Sequence, residues 1–393
     1  MPEDQRDPAP APSTVPEGLE LRHLRAFIAV AEELNFGRAA ARLFVSQSSL
    51  SRLIAALERM LGCVLVHRTT HHVALTLAGQ ALLEQAPAIL RDLEQLVMRT
   101  RSIGGELAAR IARLGEPFAT LTYADTEALR DAAERHYAQL PIAAGIEFRP
   151  VNARGVPALV ATPPEATARW VLLLHGGAYV NGSAYGFRSM ASALAEVTRG
   201  EVITPDYRLA PEYTYPAAVE DAESAFAWLL DRGVAPDDVL LVGDTSGAGL
   251  ALCMLLRAKA AASPLPGRCV FFTPYVDIGT AAPERLPAEP ANCATRAGAA
   301  FGVARYLGGH PVTDPVLNPL DCDLAGLPQM LIQAAAGDEG LPDAERLARH
   351  ARACGVDARL EVYPVAAQSF QLYWSFLPQA ADALRQVATF ASP

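Results

Sequence analysis

Two short stretches of the chain combine residue types that could hold and attack an acyl group. His175-Gly176-Gly177-Ala178 follows an apolar run at 170–174, and glycines at such a place let backbone N–H groups point at an anion. Gly243-Asp244-Thr245-Ser246-Gly247 follows a second run, 239–242, and leads into a segment rich in alanine and leucine. A turn of small residues between a strand and a helix is the setting of a nucleophile elbow, and the side chain raised on it here is the Thr245 hydroxyl. A third stretch, Asp206-Tyr207-Arg208-Leu209-Ala210-Pro211-Glu212, also follows an apolar run, and its charged pair Asp206 and Arg208 reads as bracing for a loop.

These stretches need a sheet to carry them. Apolar runs at 170–174, 202–204, 239–242, 270–272, 330–333 and 360–363 alternate with helical patterns at 190–198, 216–231, 247–262 and 343–354. Alternation of this kind predicts an α/β fold with a mostly parallel sheet and helices on both faces, in which ligands sit beyond the carboxyl ends of the strands. The Pro- and Ala-rich stretch 282–291 reads as a mobile segment near the pocket mouth.

The amino-terminal part is different. Residues 1–18 are acidic and Pro-rich, read as a disordered tail with neither the basic nor the apolar region of a signal peptide. Leu24, Phe27, Ile28 and Ala31 form one apolar helical stripe, and a short helix at about 37–43 follows. Ser46 is a good N-cap for a third helix to about residue 61, with Leu50, Leu53, Ile54 and Leu57 inward. Gln47, Ser48, Ser49, Ser51 and Arg52 remain on its outer side, where short polar side chains and Gln can meet base edges in a major groove, and Ser46 is counted with them as DNA-binding. Residues 64–75 read as a two-stranded wing that brings Arg68 near phosphates. His71-His72 at its tip, with no third ligand evident, reads as solvated and not as a metal site.

Charge agrees with this division. Residues 19–114 carry twelve arginines against eight acidic residues, whereas residues 115–393 carry twenty basic against thirty-one acidic ones. A basic head on an acidic body suits a polyanion partner for the head. The six cysteines have no metal spacing and read as thiols of a reducing cytoplasm, no cofactor motif is present, and no apolar run is long enough for a membrane span.

Taken together, LRHLRAF, RAAARL, VSQSSLSRLIAALE and LTLAG closely resemble the winged helix-turn-helix of LysR-type transcriptional regulators. The resemblance implies operator DNA as partner, a domain at 19–76 with its helix-turn-helix at about 36–55, and a linker helix at 77–114 that pairs in a homodimer or in a homotetramer. Pro87 and Gly104-Gly105 predict a kink or break in that helix.

HGGA, DYRLAPE and GDTSG, in this order, resemble the hormone-sensitive-lipase-like branch of α/β-hydrolases over residues 125–393. That resemblance implies a helical cap over the sheet and a domain at 115–393. It makes Thr245 the nucleophile position, where the family has serine, and Gln368 the base position, where it has histidine. The acid becomes Asp338, or Glu339 if the register slips by one. It also implies an oxyanion hole from Gly176, Gly177 and the Ser246 amide. Glutamine cannot accept the threonine proton, and loss of the base costs on the order of a million-fold in hydrolases.

The resulting expectation is a DNA-binding transcriptional regulator that is not an enzyme. Its body binds a small carboxylate, ester, lactone or acylated metabolite through His175, Gly176, Gly177, Ala178, Thr245, Ser246 and Gln368. A DNA-tethered esterase using Thr245, and a purely structural body, are the alternatives.

Overall fold

The computed structural model describes residues 16, 18–68, 73–118, 120–282, 285–286, 288 and 291–392. The expected tail falls largely outside these residues, half of the stretch 282–291 does, and the wing tip at 69–72 wholly so. The chain divides into two units, residues 1–106 and 107–393.

In the first unit, α1 (Leu21–Glu33), α2 (Phe36–Arg42) and α3 (Gln47–Leu61) enclose Phe27, Val30, Leu50, Ile54 and Leu57. Asn35 caps α2 by accepting from the Arg38 amide, and Ser46 caps α3 by accepting from that of Ser49. The wing is β1 (Val66–Arg68) paired antiparallel with β2 (Val73–Leu75). Its base is pinned to α3 because the Glu58 carboxylate accepts from the amides of Leu65 and Val66.

Helix α4 (Leu77–Gly115) continues through both places where a kink or break was expected, so neither is a break. Pro87 removes one ladder hydrogen bond and each glycine costs about 1 kcal/mol relative to alanine, and helical backbone continues through all of them. The boundary also differs from the one expected at 115. Leu107, Ile111 and Leu114, in the last turns of α4, pack with the core of the second unit.

The second unit is built on a sheet of eight strands among the described residues. They are β3 (Glu147–Ala153), β4 (Val156–Thr162), β5 (Trp170–Leu174), β6 (Glu201–Pro205), β7 (Val239–Asp244), β8 (Arg268–Phe272), β9 (Gln329–Ala335) and β10 (Ala358–Tyr363). Their order is β10-β9-β8-β7-β5-β6-β4-β3, parallel from β10 to β6 and antiparallel beyond. Helices α7 (Ala217–Asp231), α8 (Ser246–Ala260) and α10 (Leu341–Ala353) pack in one core with Leu172 and Leu241. Helices α6 (Arg188–Thr198) and α11 (Pro378–Ala391) pack in the other with Val171 and Leu173. The continuous apolar run of β5 is the signature of a strand covered on both faces. Helices α5 (Thr126–Tyr137) and α9 (Arg296–Leu307) contribute walls to the cavity described below.

Candidate functional site

Strand β7 delivers Asp244 to its carboxyl end, and Thr245 turns the chain into α8 with φ +46° and ψ −110°. A β-branched residue pays for that backbone, because its side chain crowds the adjacent carbonyls. The turn is held from both sides: the Thr245 amide donates to the Phe272 carbonyl at 2.9 Å, and the Thr245 carbonyl accepts from the Tyr275 amide at 3.0 Å. Such over-determination lets a strained elbow persist.

Gly176 and Gly177 stand opposite. Any side chain at Gly176 would fill the space shared by Thr245 Oγ1 and Asp244 Oδ2. Gly177, at φ +121°, lies so close to the Asn181 carbonyl that a Cβ would overlap it. Its own carbonyl accepts from the amides of Val180 and Asn181 and from Asn181 Nδ2, which folds the loop back on itself.

A cavity of about 330 Å³ opens between these elements. Gly177, Ala178, Thr245, Ser246 and Gln368 line it, together with Phe118, Tyr123, Tyr137, Asn181 and Tyr373. His175 does not. Its ring is fully buried and stacked on Tyr207, with Nδ1 2.9 Å from the Gly176 carbonyl and 3.1 Å from the Tyr207 hydroxyl. Burial lowers its pKa to about 4, so it is a neutral brace beneath the glycine loop. The expected ligand contact at His175 is corrected on that ground.

Gln368 is exposed and lines a second, adjoining cavity of about 240 Å³ together with Asp338 and Glu339. One Asp338 oxygen accepts the Gly340 amide at 2.9 Å, while the other is buried without a partner; burial raises its pKa. Glu339 instead accepts the Arg296 amide. Arg208 grips Asp221, and Asp206 accepts the Ala184 amide, so both brace the loop as expected.

Two groups at this site escaped the sequence reading. Asp244 is fully buried and lines the cavity, with Oδ1 lacking a partner. Burial raises its pKa to about 7; the Ser369 hydroxyl offsets part of that, and the Asp338 charge adds to it. His136 is the other. Leu129, Ala132, Ala133 and His136 are all buried and recur at i, i+3, i+4 and i+7 along α5, a pattern that could have flagged it.

In the first unit, Gln47, Ser48 and Arg52 are exposed on the amino-terminal part of α3, and Ser49 and Ser51 are half-buried. Arg52 donates to Ser49 Oγ at 3.2 Å, and Arg68 lies over the Phe36 ring at 4.2 Å. A lost base contact costs about 1–3 kcal/mol. Gln47→Ala and Arg52→Ala are therefore each expected to weaken operator binding by about tenfold. Unchanged footprints would overturn the placement of this face in the groove.

The doubly covered sheet, its elbow and the facing glycine loop define an α/β-hydrolase domain, preceded by a winged helix-turn-helix. A family model for the alpha/beta hydrolase fold matches residues 171–372, about half of the chain, and one for bacterial regulatory helix-turn-helix proteins of the lysR family matches residues 21–80. The chain belongs to the α/β-hydrolase family in its hormone-sensitive-lipase-like branch, with a LysR-type DNA-binding domain fused at the amino terminus. An esterase of Acinetobacter venetianus is 31% identical over 67% of this chain and 88% of its own length. The crystal structure of a bacterial hormone-sensitive-lipase-family esterase superposes with a TM-score of 0.66 at 33% identity, covering 73% of this chain and 97% of that one. At the amino terminus, the Hca operon transcriptional activator HcaR of Escherichia coli is 51% identical over 22% of this chain and 29% of its own length.

These matches overturn the expectation that the body is not an enzyme, since its relatives include esterases that it covers almost end to end. The physical reason lies at the elbow. Thr245 keeps a hydroxyl there, and beside it stands a carboxyl that changes charge near neutrality, which the comparison of Gln368 with histidine left out of account.

Proposed function

We propose that this chain is a transcriptional regulator whose hydrolase domain takes a small acyl compound, such as an ester, lactone, carboxylate or acylated metabolite, in the cavity at Thr245. Occupancy alters operator binding. The observation that carries this reading is the makeup of the cavity wall: Ile111 and Gly115, in the last turn of α4, line it. That helix begins at Leu77, directly after the wing. A ligand that touches its end has a covalently continuous route toward the DNA-binding unit. In this reading Gly177 and the Ser246 amide hold the acyl oxygen, and Gln368 and Thr245 donate to or accept from the remaining polar atoms. Pairing of two copies through α4 would present two heads to a near-palindromic operator.

A second reading is favoured by Asp244. The Thr245 oxygen bonds to the ester carbonyl carbon, its proton passes to Asp244, and the C–O bond breaks as the alcohol leaves with that proton. Water then cleaves the acyl-threonine.

One set of measurements tests both. Operator affinity is followed by anisotropy with a short-chain series of ethyl esters, lactones and carboxylates, beside p-nitrophenyl butyrate hydrolysis by the wild type and Thr245→Ala. A change in operator affinity of about fivefold or more is expected for at least one compound. No change with any of them overturns the regulator reading. Turnover that disappears in Thr245→Ala supports the second reading, and equal rates in the two proteins defeat it.

A further inference from the structure

His136 is an imidazole with one committed nitrogen and one free one. Its ring is 5% exposed and walls the cavity. Nδ1 lies 2.7 Å from the Leu114 carbonyl oxygen. A carbonyl only accepts, so Nδ1 carries the hydrogen. Burial lowers the pKa of the ring, with the Leu114 contact opposing, which leaves it neutral at pH 7. Nε2 is then a bare lone pair with no partner among the described residues.

The ring cannot readily turn away. Phe118, Tyr137 and Tyr373 meet it edge-on, with centroids at 5.4, 5.3 and 6.3 Å. Its helix is anchored one and a half turns earlier by Arg130, which donates to the carbonyls of Val180 and Ala210 and pairs with Glu212 at 2.7 Å. The surrounding wall is otherwise largely apolar or aromatic, and a buried acceptor left facing such a ligand forfeits its hydrogen bond to water.

We infer that His136 is a ligand-binding residue of this cavity, accepting at Nε2 a hydrogen bond donated by the ligand. The inference rests on the reading above, that an acyl compound sits at Thr245, and it narrows the class. The preferred compound carries a hydroxyl on its acyl chain, away from the carbonyl held at the elbow. A site built to pair with a hydroxyl rejects the analogue without one, because its own polar atom is left unpaired.

The test compares ethyl hexanoate with ethyl 3-hydroxyhexanoate and ethyl 6-hydroxyhexanoate, with dissociation constants measured on the full chain. The better hydroxylated ester should bind about tenfold more tightly than the plain one. His136→Asn retains a donor for Leu114 but places no acceptor at the ε position, so the affinity ratio between the hydroxylated and the plain ester should fall to about one. His136→Gln, whose side-chain oxygen reaches the ε position, should keep part of it. Equal affinity for all three esters in the wild type overturns the assignment of His136 and leaves the cavity reading standing. A preference that survives in His136→Asn overturns it as well, and so does a variant that weakens all three esters equally, the mark of a purely structural role. Failure of all three to bind the wild type defeats the cavity reading, and this inference with it.

Discussion

Valine at Gly177 is expected to weaken acyl-ligand binding by on the order of a hundredfold, with operator affinity in the absence of ligand unchanged. The reasoning is steric before it is chemical. Gly177 sits at φ +121°, where L-residues are disfavoured, and its missing Cβ would overlap the Asn181 carbonyl. Accommodating a side chain therefore requires the 177–181 turn to open. Opening costs the hydrogen bonds that Val180 and Asn181 donate to Gly177, and it moves a backbone donor away from the point proposed for the acyl oxygen. The DNA-binding unit has its own core, around Phe27, Leu50 and Ile54, and owes none of it to this loop. Ligand affinity by calorimetry beside operator affinity by anisotropy checks the result. Ligand binding that persists in Gly177→Val would remove this loop from the binding site.

The second large effect concerns Asp244 and pH. Its carboxyl titrates at about 7 in the folded chain, against about 3.9 for an unperturbed aspartate. Between those values the unfolded chain has released the proton and the folded one still holds it. Stability is therefore complete below about pH 4 and declines as the pH rises through about 7, by up to roughly 4 kcal/mol from this group. Asp244→Asn stays neutral throughout. The variant should be the more stable protein at pH 8, by up to that amount, and the gap should close toward pH 4. Denaturant unfolding of both proteins across this range is the check, and parallel curves would show that folding does not raise the Asp244 pKa. If the same group accepts the Thr245 proton, any p-nitrophenyl ester turnover should rise with pH through about 7, because the carboxylate is the base form.

The six strands read from apolar runs are the parallel ones. A strand covered on both faces needs a run such as Trp-Val-Leu-Leu-Leu at 170–174, which is visible without knowledge of its neighbours. Strands β3 and β4 went unread because Pro150 and Pro157 stand inside them, and β3, at the margin of the sheet, is mostly exposed or half-buried. Their turn was nonetheless encoded: Arg154-Gly155, both at positive φ, close a two-residue hairpin that the Asn152 side chain ties by accepting the Gly155 amide. Helix α4 is the opposite case. Local propensity marked Pro87 and Gly104-Gly105 for a kink or break, and helical backbone runs through all three.

At the site, spacing alone marked the residues that one turn of chain brings together. Gly176-Gly177 and Thr245-Ser246 belong to local motifs at strand ends, and an elbow is a property of five consecutive residues. Three things came only from packing over long sequence separations. His175 turned inward, because Tyr207 stacks on it and leaves it no path to the cavity. Asp244 was held near neutrality, because burial withholds the water that would stabilise its charge. His136 joined Ile111 and Gly115 on the cavity wall, although more than a hundred residues separate them from Thr245. Motif and periodicity report what a residue is and what its near neighbours are. Solvation, tautomer and the far side of a pocket depend on which distant segments close over it, and those only the tertiary fold decides.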